Sequence, residues 1–136
     1  MSKAEITAIE HKILNATSTD ELMAFIDEDI VRYTFLPPLQ YAGAKAVRAL
    51  FDQIFAMAKD AKAEFISLDV VCEGNLAVAY SLQQFTWTNP NGTPGGGTFR
   101  VTDCFHKVNG AWKIFHAHIS FPINPATGQA EMSLKQ

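Results

Sequence analysis

The chain has 136 residues and a mass of 15.0 kDa, with 48% hydrophobic and 18% charged residues. That fits one domain around one core, leaves little room for a second, and excludes wholesale disorder. Eleven Lys and Arg against fourteen Asp and Glu give a net charge of −3, and no dense basic run is present, which argues against a phosphate-tracking nucleic-acid binder.

The opening stretch MSKAEITAIEHKI is interrupted by Lys3, Glu5, Glu10 and Lys12, so it does not read as a secretion signal. Uncharged stretches such as Leu76 to Trp87 are too short and too polar for a membrane helix of about 20 residues. A cytoplasmic protein engaging neither membrane nor nucleic acid is expected. Cys72 and Cys104 have no CxxC spacing and read as buried thiols, not as a disulfide or a metal pair.

Ile6, Ile9, Ile13 and Ala16 recur at three- and four-residue steps, the spacing of one helical face. Ser18 and Glu21 form an S-x-x-E capping signal for a short second helix that buries Leu22, Phe25 and Ile26. Ile30 to Phe35 is β-branched and aromatic and predicts a strand, which Pro37-Pro38 stops, followed by a turn through Gly43. From Ala44 to Lys59 the stripe Val47, Leu50, Phe51, Ile54, Phe55 and Ala58 predicts a third helix.

Beyond it the period becomes two. Ile66, Leu68, Val70 and Cys72 alternate with their neighbours, and Gly74-Asn75 marks a turn. Three long strands are expected: Leu76 to Thr88, Thr98 to Val108 and Ala111 to Phe121. The loop NPNGTPGGG and the two-residue hairpin turn Asn109-Gly110 separate them. Helices first and an antiparallel meander after is an α+β layout, a single domain over 1–136 whose helices cover one face of a bent sheet. The tail 122–136 is expected to wrap the surface or fray.

A two-residue turn at Asn109-Gly110 sets a register in which Asp103 faces His116, Val101 faces His118 and Phe99 faces Ser120, on one side with Phe105, Ile114 and Trp112. An acid among such residues is desolvated, which raises its pKa unless a protonated His116 pulls it down. Asp103 is then either a neutral donor or the carboxylate that orients His116 as a base, or the two satisfy each other in the core. His116-x-His118 opposite Asp103 also has the make-up of a two-His, one-carboxylate metal site. Such a histidine pair is common on strands without a metal, so no metal is expected. NPNGTPGGG lacks the Lys and Ser/Thr of a phosphate loop, and its glycines are read as turn formers. No G-x-S-x-G elbow is present, which disfavours a serine hydrolase.

Three stretches, FIDEDIVRYTFLPPLQYAG, VRALFDQIF and RVTDCFHKVNGAWKIFHAHIS, resemble the nuclear transport factor 2-like superfamily, specifically its SnoaL-like or ketosteroid-isomerase-like proteins. The resemblance implies a cone-shaped α+β barrel, with the helices on a strongly curved antiparallel or mixed sheet around an apolar pocket. It also implies a homodimer packed sheet against sheet, for which Phe85, Trp87, Phe115, Ile119 and Phe121 suit the interface. Asp103 stands where ketosteroid isomerases carry an oxyanion-donating Asp, but Thr34 occupies the position of their general base, so His116 or His118 would have to replace it. The tyrosine donor of those enzymes has no assigned counterpart among Tyr33, Tyr41 and Tyr80.

The expected ligand is a small, largely apolar molecule bearing a carbonyl or carboxylate, bound without a cofactor. Phe35, Phe51, Phe55, Tyr80, Leu82, Val101, Phe105 and Trp112 are expected to line its pocket, with Tyr33, Thr34 and Ser120 adjoining. Asp103, His116 and His118 are the catalytic candidates for isomerase, dehydratase or cyclase chemistry. The hairpin is also similar to that of the calcium/calmodulin-dependent kinase association domain, so a non-catalytic assembly module is the alternative.

Overall fold

The computed structural model describes residues 2–136. The first helix, α1 (Ser2–Leu14), buries Ile6 and Glu10 on the face predicted from its isoleucines. Ser18 caps α2 (Thr19–Met23), its hydroxyl accepting from the Glu21 amide at 3.3 Å, while Thr17 Oγ1 donates to the Glu21 carboxylate at 2.9 Å. The chain then enters β1 (Ile26–Tyr33), so Ile26 belongs to a strand and not to the second helix. A short strand, β2 (Tyr41–Ala42), lies where only a turn was expected, and Gly43 at φ 90° leads into α3 (Ala44–Met57), which buries Val47, Leu50 and Phe51.

Four long strands follow: β3 (Lys59–Glu73), β4 (Leu76–Thr88), β5 (Pro94–Val108) and β6 (Ala111–Ser120). They form one six-stranded sheet in the order β2-β1-β6-β5-β4-β3. All pairs are antiparallel except β1 with β6, so the sheet is mixed, and it does not close, β2 and β3 being its edges. Breaks in register within β1/β6, β3/β4 and β5/β6 add local twist and bend the sheet. On its inner face α1 packs against β3 and β4, and α3 against β1 and β2. Among the described residues no helix is long and apolar enough to cross a membrane.

The inner face fills in layers. At the turn end, Ile30, Ile114, Phe105, Ala77 and Cys72 meet Ile6 and Phe51 in the main core, with Trp112 beyond. At the other end Phe99, Val101 and Phe121 form a second cluster with Phe85, Trp87 and Ile119. Phe35, on the segment after β1, sets its ring edge-on to Phe99 and Phe121 with centroids 5.0 and 5.3 Å away, covering this cluster. Four of the five residues expected at a dimer interface, Phe85, Trp87, Ile119 and Phe121, are therefore packed inside; Phe115 alone lies outside, against His106.

One expectation about loops changes. The loop between β4 and β5 spans only residues 89–93, and the three glycines belong to β5. They serve close approach: a Cβ on Gly95 would lie 2.3 Å from the Trp87 indole nitrogen, and one on Gly97 3.2 Å from the Phe121 ring. The tail folds back, with Ile123 bridged to Ala130 and the Thr98 amide donating to the Met132 carbonyl at 2.8 Å.

Replacing Gly95 with alanine forces Trp87 off the strand and breaks its 2.9 Å hydrogen bond to Asn89. The expected cost is about 1–3 kcal/mol, the usual range for overpacking. Urea unfolding followed by tryptophan fluorescence measures it, and an unchanged midpoint would show that the ring has room to move.

Candidate functional site

Across the middle of the inner face, neighbouring strands bring Arg32 (β1), Ala117 (β6), Asp103 (β5), Ala79 (β4) and Val70 (β3) into one row. Asp103 is 4% exposed, with the two alanines, both buried, on either side. Glu10 reaches it from α1, itself only 2% exposed. Nearer the wide end lie two further buried polar side chains, Gln83 and Ser81, the amide donating to the hydroxyl at 2.9 Å.

Glu10 and Asp103 share a hydrogen bond, so one of the two must carry a proton. Burial raises both carboxyl pKa values. For Asp103 the bond from Glu10 and the charges of Arg32 and His116 act the other way. For Glu10 the Asp103 charge and the shared hydrogen bond add to burial, and its pKa is pushed up to about 11. The pair therefore holds at least one proton at neutral pH, with Glu10 as the donor to Asp103.

Burial lowers the Arg32 pKa and the Asp103 charge opposes this; a guanidinium is basic enough to keep its proton. It lies 5.2 Å above the Phe51 ring, its Nε is buried without a hydrogen-bond partner, and it forms no ion pair among the described residues.

The histidines are elsewhere. Phe105 pairs with Ile114 as the hairpin turn requires, but Cys104 then pairs with His116, because Phe115 is an extra residue on β6. Beyond this bulge every β6 side chain has changed faces relative to the uninterrupted register. Asp103 thus faces Ala117, and His116, His118 and Ser120 share the outer face with Cys104, Thr102 and Arg100. There the Tyr33 ring meets His116 and His118 edge-on, the His116 Nδ1 donates to the Val31 carbonyl at 2.7 Å, and Arg100 donates to Ser120 at 3.2 Å.

Tyr80 and Leu82 alternate with the inward Ala79, Ser81 and Gln83, so they too lie outside, Tyr80 47% exposed. Of the expected pocket residues, Phe51, Val101, Phe105 and Trp112 are buried inside, with Phe35 over the wide end. Phe55 is half-buried on α3, and Thr34 is half-buried just past β1. Because Asp103 and the two histidines occupy opposite faces, they do not form the two-His, one-carboxylate set. Cys72 and Cys104 are likewise on opposite faces, unlinked.

Glu10 and Arg32 were not among the candidates. Glu10 stands four residues after Ile6 and three before Ile13, within the apolar stripe, and Arg32 alternates in phase with Ile30. Those placements are the signals that mark them as inward. Two cavities, of about 230 and 270 Å³, lie along residues 84–86 beside the tail and beside β3; neither includes a residue of the Glu10, Asp103 and Arg32 group.

A curved sheet covered by helices, with two acids buried beneath them and a half-buried guanidinium beside, defines a cone-like α+β domain with a polar centre. A family model, the SnoaL-like domain, matches residues 6–124, and the chain belongs to that family. Among solved structures it is similar to an NTF2-like protein of unknown function from Pseudomonas putida KT2440. The identity is 24%, 99% of this chain and 96% of the other are covered, and the TM-score is 0.89. An NTF2-like superfamily protein from Salmonella enterica serovar Typhimurium LT2 matches at 22% identity, with 95% and 96% covered and a TM-score of 0.79. A ketosteroid isomerase-like protein from Erwinia carotovora atroseptica matches at 19% identity, with 87% and 94% covered and a TM-score of 0.75. At these identities the likeness is one of fold. No curated protein matches the chain.

The buried proton gives a pH signature. The folded chain keeps on Glu10 a proton that the unfolded chain releases above about its ordinary 4.5, so stability falls as pH rises from there towards about 11. The slope is at most about 1.4 kcal/mol per pH unit. Glu10→Gln carries no such proton and should gain on the wild type as pH rises. Urea unfolding of both proteins across this range checks it, and parallel curves would place an ionised Glu10 in the folded state.

Proposed function

We propose that the chain binds a small, largely apolar molecule bearing an oxygen function inside the cone, and that Glu10 and Asp103 handle its protons. The observation that carries this reading is the carboxyl pair, sharing a proton against a floor of two alanines inside the domain. Such a pair can take a proton from a ligand and return one, as isomerisation, dehydration and cyclisation require. In this scheme Asp103 is the acceptor and Glu10 supplies the acid position. Thr34 need not be replaced by a histidine. The way in is the wide end, where the half-exposed Phe35 covers Phe99 and Phe121. A fold shared with a ketosteroid isomerase-like protein supports the reading without choosing the reaction.

Small molecules released on denaturing freshly purified protein, identified by mass spectrometry, supply the substrate to assay. With that compound Asp103→Asn and Glu10→Gln should each lower kcat by about 10²-fold or more, the usual scale of general acid–base catalysis, while both variants stay folded. Wild-type turnover in both variants removes the pair from the mechanism.

A second reading rests on the outer face, where Val71, Val78 and Tyr80 are 55%, 37% and 47% exposed on adjoining strands. A contiguous apolar patch on a sheet face suits a second copy of the chain. Tyr80→Glu should then convert a homodimer to a monomer in light-scattering mass measurements, and a wild type that is monomeric at high concentration excludes the reading.

A further inference from the structure

Building on the ligand-binding reading above, we propose that Arg32 receives an anionic oxygen of the ligand, so that the molecule bound is a small organic carboxylate with an apolar body. The guanidinium is committed to the inside of the domain by its place in β1, in phase with Ile30 and level with Asp103. Phe51 covers one side of it, and its Nε is buried with no partner. No hydrogen bond or ion pair to any described residue engages its remaining donors. Arg32 is half-buried, with its Nε sealed from solvent and unpartnered; such a group favours an acceptor, and its planar fork fits a carboxylate with two parallel hydrogen bonds. Ala117 separates Arg32 from Asp103 in the row and Ala79 follows on the far side, so the floor around the two charged groups is made of small side chains.

Charge balance adds a consequence. The groups that act on Asp103 are Glu10 from α1, Arg32 from β1 and, through the sheet, His116 of β6; its β4 neighbour Ala79, Val70 beyond it on β3, and Phe51 of α3 carry no charge. With Glu10 neutral, Asp103 and Arg32 cancel. A bound carboxylate would leave one net negative charge in the apolar interior, which is expensive unless a proton enters with it. The acceptor for that proton is Asp103, which in a carboxylate complex therefore starts protonated and accepts a proton from the ligand only after giving one up. Carboxylate binding should therefore take up one proton, and its affinity should fall by about tenfold per pH unit wherever Asp103 is ionised in the free protein.

Calorimetric titration of the full chain with benzoate and phenylacetate, and with benzamide and phenylacetamide as neutral counterparts, tests this. Runs at about pH 6 and about pH 8, each in two buffers of different ionisation heat, count the protons taken up. The carboxylates should bind at least about tenfold more tightly than the amides at the lower pH, with one proton absorbed. Arg32→Met should abolish the preference and Arg32→Lys restore part of it. Asp103→Asn, neutral at the outset, should keep carboxylate binding and lose both its pH dependence and the proton uptake. Amides binding as well as carboxylates, or an Arg32→Met variant that keeps the preference, overturns the anion assignment and leaves the ligand-binding reading standing. Absence of binding by either series overturns both.

Discussion

Between the Phe105–Ile114 and Cys104–His116 pairs the β5–β6 ladder takes in one additional residue, Phe115, and the composition of the interior depends on it. Without the bulge two imidazoles and a hydroxyl would face inward beside Asp103. With it Ala117 takes that place, and His116, His118 and Ser120 turn to the outer face. The small side chain of Ala117 does two things at once. It leaves Asp103 without a partner on its own sheet, and it opens the volume through which Glu10 approaches from α1 and Arg32 from β1.

The polar centre is costly to fold around. An unpaired carboxylate or guanidinium taken from water into an apolar core loses several kcal/mol of solvation even after relaxation, and pairing recovers only part of that. The protein reduces the cost by leaving Glu10 neutral and by bonding it to Asp103, so one anion and one cation remain across the row. Nothing in the packing requires these groups: Ile6 and Ile13 already hold α1 down, and Phe105, Ile114 and Trp112 already fill the narrow end. A group that destabilises the fold and is not needed to pack it is most simply understood by what it does to a ligand.

Much of the architecture was legible in the sequence because it follows from local rules. The isoleucine spacing of α1, the Ser18 and Glu21 cap, the stripe of α3 and the Asn109-Gly110 turn each act within a few residues, and each occurs as expected. The site was less legible because it depends on register. Asn109-Gly110 specifies pairing only as far as the first irregularity, and a bulge at Phe115, five residues beyond Gly110, has no turn chemistry to announce it. Tyr80 and Leu82 were lost to the same cause on β4, where a period of two leaves both faces equally plausible until a neighbouring strand chooses. The glycines of β5 read as turn formers because their use is tertiary: Trp87 and Phe121 lie flat against a strand that carries no Cβ at those points.

The position of Glu10 joins stability to chemistry through α1. The helix is held by Ile6, Ile9 and Ile13 against the sheet, and the same face delivers the proton to Asp103. Any movement that lifts α1 would separate the two carboxyls, expose both to water and let Glu10 ionise, so the protonation of the pair and the docking of the helix are one equilibrium. A ligand entering at the wide end meets the Phe35 cluster first, then the Gln83 and Ser81 side chains, and the carboxyl pair last. The carboxyl pair is thus the most enclosed of these polar groups, where low local dielectric makes the placing of a proton matter most.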